Sequence, residues 1–163
     1  MHIEKDTKTA LQVGRAYSGS RRKRRPTKVL HCKSVAKECR QMARSAAFFL
    51  KEAVTSDSEL LYDLELLIME ACSNIVMHGY QDEPGDIELH LSLVGSSQLA
   101  IEVYDWSEPF SVPLEQAYEA NPHMESGRGL CIIDQLADSF AYDRVEGKNI
   151  LRLEKQLVSK TMP

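Results

Sequence analysis

The stretch from Leu60 to Tyr80, L-L-Y-D-L-E-L-L-I-M-E-A-C-S-N-I-V-M-H-G-Y, constrains this chain most, because it carries two patterns on neighbouring faces. Leu60, Leu64, Leu67, Ile68, Ala71 and Ile75 recur at helical spacings and form an apolar stripe that requires a core. Gly79 is read as the end of that helix. Glu70, Asn74 and His78 follow one another at intervals of one helical turn and make a polar row beside the stripe. The row is a candidate site, although by spacing alone the wetted edge of an amphipathic helix is the preferred reading.

The rest of the chain supplies layers for that helix to pack on. Thr27 to Cys32 reads as a short strand, and Ser34 as the N-cap of a long helix with Val35, Cys39, Met42, Ala43, Ala46, Phe49 and Leu50 on its apolar face. Thr55-Ser56-Asp57-Ser58 breaks this helix, and Ser58 is the expected N-cap of the next. After the Pro84-Gly85 turn, Ile87, Leu89, Leu91 and Leu93 alternate with Glu88, His90 and Ser92, and Gly95-Ser96-Ser97 turns the chain into a second strand, Leu99 to Asp105. Asp105 shares the parity of Leu99, Ile101 and Val103, so its carboxylate points to the core side.

Glu108 to Ser126 is a proline-containing loop with a short helix expected around Leu114 to Ala120. Helical spacing resumes from Gly127 to Ala137, opening on Gly127-Arg128-Gly129, and a hairpin about Glu146-Gly147-Lys148 closes the chain.

Three of these segments, M-E-A-C-S-N-I-V-M-H-G-Y (Met69 to Tyr80), Y-D-W-S-E-P-F (Tyr104 to Phe110) and S-G-R-G-L-C-I-I (Ser126 to Ile133), stand in the order seen in GHKL-type ATPases. The chain most resembles the bacterial anti-sigma-factor serine/threonine kinases, over Lys28 to Leu157. The resemblance implies an α/β fold of α+β type: a two-layer sandwich of the GHKL, or Bergerat, kind, with a mixed, mainly antiparallel sheet covered on one face by helices. It also implies ATP and Mg²⁺ as cofactors.

By that resemblance Glu70 is the general base, Asn74 the metal-holding asparagine, and Asp105 the acceptor for the adenine amine. On the residues alone, Asp105 also suits a structural cap of the loop that follows it. His78 belongs to the motif too, although a histidine beside a helix C-terminus serves as well to cap carbonyls, and that structural role is preferred. Gly127, Arg128 and Gly129 would bring backbone N–H groups to the phosphates, with Arg128 a direct contact, and Leu130, Ser107 and Pro109 complete the nucleotide-binding positions. The loop after Asp105 would then be a lid.

Two positions depart from the family pattern. Ser107 stands where the first glycine box usually has Gly, and is expected to crowd the nucleotide, so that Ser107→Gly would tighten binding. Cys131 replaces another common Gly and is the milder departure.

Composition then assigns the remainder. The chain has 163 residues, 43% apolar and 27% charged, which suits one globular domain at residues 27–158 between an arm at 1–26 and a tail at 159–163. No apolar run reaches the length of a spanning helix, so a soluble, unexported, cytoplasmic protein without a membrane partner is expected. Cys32, Cys39, Cys72 and Cys131 have no C-x-x-C spacing and read as reduced packing residues. From Met1 to Lys28 nine Lys or Arg face two Asp or Glu, which leaves the rest of the chain acidic. Such a body disfavours nucleic acid except through the basic arm, and does not exclude a phosphate site.

The function expected from the resemblance is a kinase of partner-switching type that binds a sigma factor and phosphorylates a STAS-type anti-sigma-factor antagonist on Ser or Thr. A homodimer is left open. Two alternatives remain: a non-catalytic protein-binding regulator on the same surface, and a nucleic-acid-associated regulator led by the Arg21 to Arg25 run.

Overall fold

The computed structural model describes residues 27–109 and 128–157. Its elements are β1 (Lys28–Lys33), α1 (Ala36–Ala53), α2 (Ser58–His78), β2 (Asp86–Val94), β3 (Gln98–Asp105), α3 (Arg128–Leu136), β4 (Ser139–Val145) and β5 (Lys148–Gln156). The strands form one five-stranded sheet in the order β1-β2-β3-β5-β4. Every described pairing is antiparallel, so the sheet is not mixed. The helices lie on one face, giving the two-layer sandwich expected from the resemblance.

The core sits between the layers. Leu64, Leu67, Ile68 and Ala71 of α2 are buried, with Leu60 and Ile75 packed at the margin, so the sequence stripe is the face that meets the sheet. From α1, Cys39, Met42, Ala43, Ala46 and Leu50 join it, and from the sheet Ile87, Leu89, Leu91, Leu99, Ile101 and Val103. Two residues assigned to apolar faces lie outside: Val35 precedes the first turn of α1, and Leu93 is near the end of β2, and both are exposed.

The expected N-caps differ as well. Asp57, not Ser58, caps α2, its carboxylate accepting from the N–H groups of Glu59 and Leu60 at 3.1 and 3.2 Å. Val35 holds the N-cap position of α1 and makes no side-chain cap bond. Ser34 is taken up elsewhere: its hydroxyl accepts from the Gly85 N–H at 2.9 Å, and its own N–H donates to the Gly85 carbonyl at 2.8 Å. These two bonds tie the start of α1 to the start of β2.

The sheet face away from the helices carries a polar ladder. Arg152 donates through Nε to Glu102 at 3.0 Å and through Nη1 to Asp143, while the Tyr104 hydroxyl donates to Glu102 at 2.7 Å. Glu102 stands directly opposite Arg152, and Asp143 reaches it diagonally from β4, so opposite charges on adjacent strands pair on this face outside the core.

The loop expected over Glu108 to Ser126, including its short helix around Leu114 to Ala120, lies outside the described residues except at Glu108 and Pro109. No helix among the described residues is long and apolar enough to cross a membrane.

Candidate nucleotide site

The C-terminal half of α2, the end of β3 and the start of α3 converge on one cavity. From α2 it is lined by Ala71, Asn74, Ile75 and His78; from the chain after β3 by Asp105, Ser107 and Glu108; and from α3 by Leu130. Its floor is the helix-facing side of β4 and β5, with Phe140, Tyr142, Asn149 and Leu151. Asn74 and His78 of the polar row and the core-parity aspartate therefore open onto the same space, while Glu70 is not among its lining residues.

Gly129 shows how closely α3 approaches α2. A Cβ built there would stand 2.9 Å from the Asn74 Oδ1 and 3.0 Å from the Glu70 Oε2, so only a residue without a side chain fits unless those carboxyl and amide groups move. Glu70 makes no hydrogen bond or ion pair with another described residue, and burial raises its carboxyl above the ordinary glutamate range. A desolvated carboxylate without a protein donor holds its proton more tightly and is a stronger base once it loses it.

Asp105 is held quite differently. It is buried, and its Oδ1 accepts three hydrogen bonds: from the Ser107 N–H at 3.0 Å, the Ser107 hydroxyl at 2.5 Å and the Asn149 Nδ2 at 2.8 Å. All the hydrogen bonds that described residues give this carboxylate fall on Oδ1, and its side chain lines the cavity. A buried carboxylate oxygen with no donor costs several kcal/mol, so Oδ2 is suited to a ligand N–H.

Behind Asp105 stands a rank of side chains that sequence reasoning missed. Asn149 of β5 lies opposite Asp105 and opposite Arg144 of β4 in the two ladders. Arg144 donates through Nη1 to the Asn149 Oδ1 at 2.6 Å and to the Ser107 carbonyl at 3.0 Å. The guanidinium fixes which end of the Asn149 amide is the acceptor, and so aims its NH₂ at Asp105. Period-two patterning puts Asn149 on the inner face, but only the strand register reveals its partner.

Ser107 does not project freely into the cavity. It is buried, its hydroxyl is bonded to Asp105, and a Cβ on Gly79 would stand 2.7 Å from the Ser107 Oγ and 2.7 Å from the Ile75 carbonyl. Gly79 has φ of −87°, so its use is close approach rather than a left-handed turn. Here glycine after α2 accommodates serine after β3.

Tyr80 braces the same junction. Its hydroxyl donates to the Asp86 carbonyl at 2.8 Å and accepts from the Trp106 N–H at 2.9 Å, linking the end of α2, the start of β2 and the end of β3. Burial raises its phenol above the ordinary tyrosine value, so it stays a neutral donor.

His78, the last residue of α2, is exposed at the cavity rim. Pro109 is exposed and is not among the lining residues. Gly127 and the side chain of Arg128 lie outside the described residues. Among the described residues no cluster of three His, Cys, Asp or Glu is placed to hold a metal.

Residues 33–155 match the model of the histidine kinase-like ATPase domain, and the chain belongs to this family. Among its relatives are the anti-sigma F factor of Clostridium acetobutylicum, 27% identical over 94 residues, and the serine-protein kinase RsbW of Bacillus mycoides, 31% identical over 97. Each match covers 55% of this chain and 65% or 60% of the relative, so the chain spans less than two thirds of these proteins. The anti-sigma F factor of Clostridium kluyveri is 25% identical over 117 residues, covering 69% of this chain and 81% of that protein. The family and fold expected from the three motifs are borne out.

Proposed function

We propose that this chain is an ATP-dependent serine/threonine protein kinase of partner-switching type, which holds a sigma factor and phosphorylates its antagonist. The observation that carries this reading is the close approach of Gly129 to Glu70 and Asn74, which brings the start of α3 against the polar row of α2. Free N–H groups at a helix start suit phosphate oxygens, and the glycine lets them approach.

Each side chain has a part. Asp105, fixed through Oδ1 by Ser107 and Asn149, offers Oδ2 to the exocyclic amine of adenine. Glu70, desolvated and without a protein donor, accepts the proton of the Ser or Thr hydroxyl as that oxygen attacks the γ-phosphorus. Asn74 presents a neutral oxygen of the kind that hard Mg²⁺ accepts, and the cradle left open at Gly129 leaves room beside it. Mg²⁺ when bound neutralises charge on the phosphates, and one amide oxygen suits an ion that keeps most of its ligands from water and phosphate. The names of the relatives, anti-sigma F factor and serine-protein kinase, support a sigma factor as partner and a protein as substrate; the antagonist as that substrate and a cytoplasmic setting are part of the proposal.

The test is phosphoryl transfer from γ-labelled Mg·ATP to a STAS-type antagonist protein. Label should enter the antagonist on Ser or Thr with the wild-type chain and not with Glu70→Gln. Tight Mg·ATP binding with no transfer to any antagonist tried would favour the non-catalytic regulator instead.

A further inference from the structure

Three thiols meet where β1, α1 and α2 pack together, and none of them lines the nucleotide cavity. The Cys32 Sγ lies 3.9 Å from the Cys39 Sγ, and Cys72 of α2 is buried in the same core. Cys39 is also 3.7 Å from the Lys33 carbonyl. Cys72 and Cys39 are buried, whereas Cys32 is half-buried and lines a surface groove with His31, Lys37, Glu38 and Gln41. The cluster thus has one cysteine on a surface groove and a second 3.9 Å from it in the core.

We propose that Cys32 and Cys39 are a peroxide-sensitive pair that closes to a disulfide and staples the edge strand β1 to the first turn of α1. The two sulfurs stand nearly 2 Å beyond bonding distance, a gap that side-chain rotation can close. The contact with Cys32 lowers the Cys39 thiol, while the contact with Cys39 and burial raise Cys32 and Cys72, so Cys39 is the thiol of the cluster that gives up its proton most readily. Either sulfur of the Cys32–Cys39 contact can be the donor, so a deprotonated Cys39 can take the Cys32 proton as Cys32, the residue on the groove, reacts.

The chemistry balances with hydrogen peroxide as the oxidant. The Cys32 thiolate attacks one peroxide oxygen, the O–O bond breaks, and the departing hydroxide takes up a proton to leave as water. Cys32 is then a sulfenic acid. The Cys39 thiolate attacks the Cys32 sulfur, forming the S–S bond and expelling hydroxide, which leaves as a second water. Two thiols have lost two electrons and two protons to the peroxide.

Peroxide treatment of the full chain, followed by alkylation of free thiols and peptide mapping, tests this. The expected product joins the Cys32 and Cys39 peptides with two hydrogens lost, leaves Cys72 and Cys131 alkylated, and is reversed by a dithiol reductant. Cys32→Ser should lose the product, and Cys39→Ser should stop at a trappable sulfenic acid on Cys32. The proposal is overturned if wild-type Cys32 and Cys39 remain fully alkylatable after peroxide, or if the disulfide found joins Cys39 to Cys72. Mapping of the wild-type chain decides the matter even if a variant does not fold.

Discussion

Asn149 faces Asp105 across the β3–β5 ladder and donates its Nδ2 to the Oδ1 at 2.8 Å. A residue far along the chain thereby determines which oxygen of the aspartate is left to face the cavity. Asn149→Ala removes one of three donors from a buried carboxylate, while Arg144 keeps its bond to the Ser107 carbonyl, and costs about 1–3 kcal/mol of stability. ATP affinity should fall roughly tenfold, as read by calorimetric titration beside a denaturant melt. Affinity equal to wild type would remove Asn149 from the positioning of Asp105.

The contacts of Ser107 argue for the opposite of the crowding expected from its side-chain volume. Its hydroxyl is bonded to Asp105 and packed on Gly79, so it supports the site instead of obstructing it. Ser107→Gly keeps the N–H donor, loses the hydroxyl and frees the backbone, and should weaken Mg·ATP binding several-fold. Tighter binding by the glycine variant in the same titration would show that crowding dominates after all.

Gly129→Ala tests the approach of α3 to α2. The added methyl would meet the oxygens of Asn74 and Glu70 at 2.9 and 3.0 Å, and relieving such contacts typically costs about 1–3 kcal/mol. Nucleotide binding should weaken at least roughly tenfold while circular dichroism stays native. Unchanged affinity would mean that the nucleotide does not use the start of this helix.

Glu70 and Asn74 should fail in different ways. Asn74→Ala is expected to lose the Mg²⁺-dependent part of nucleotide binding, and Glu70→Gln to bind nucleotide but not transfer phosphate. Equal transfer by Glu70→Gln and wild type would take the base role away from Glu70.

The raised Glu70 carboxyl also has a signature in stability. The folded chain holds this proton more tightly than the unfolded chain, so its contribution is fully present below the ordinary glutamate value and is lost as pH rises through the raised one. Glu70→Gln, which cannot ionise, should therefore melt above wild type at neutral pH, and the gap should close as the pH falls through that window. A gap independent of pH would show that ionised Glu70 is not penalised by its surroundings.

What was legible in the sequence followed from periodicity. The α2 stripe, the β2–β3 hairpin and the inward parity of Asp105 need only local spacing, and each lies where that spacing puts it. Caps were less legible, because Ser34, Asp57 and Ser58 have similar local chemistry and the choice rests on tertiary bonds such as that from Gly85 to Ser34. The partners of Asp105 were not legible at all. Asn149 and Arg144 carry no motif, and only the pairing of β3 with β5 and β4 with β5 brings them to it.

The Glu146–Gly147 turn has a bearing beyond its own geometry. Both residues have positive φ, at 52° and 76°, as a two-residue hairpin connection requires, and they set Val145 opposite Lys148. That register places Arg144 opposite Asn149, and one added residue would turn every later side chain of β5 to the other face relative to β4. The turn is thus a gauge of length for a site it never touches: a hairpin tip that would ordinarily tolerate insertions should here be among the least forgiving surface positions of the chain.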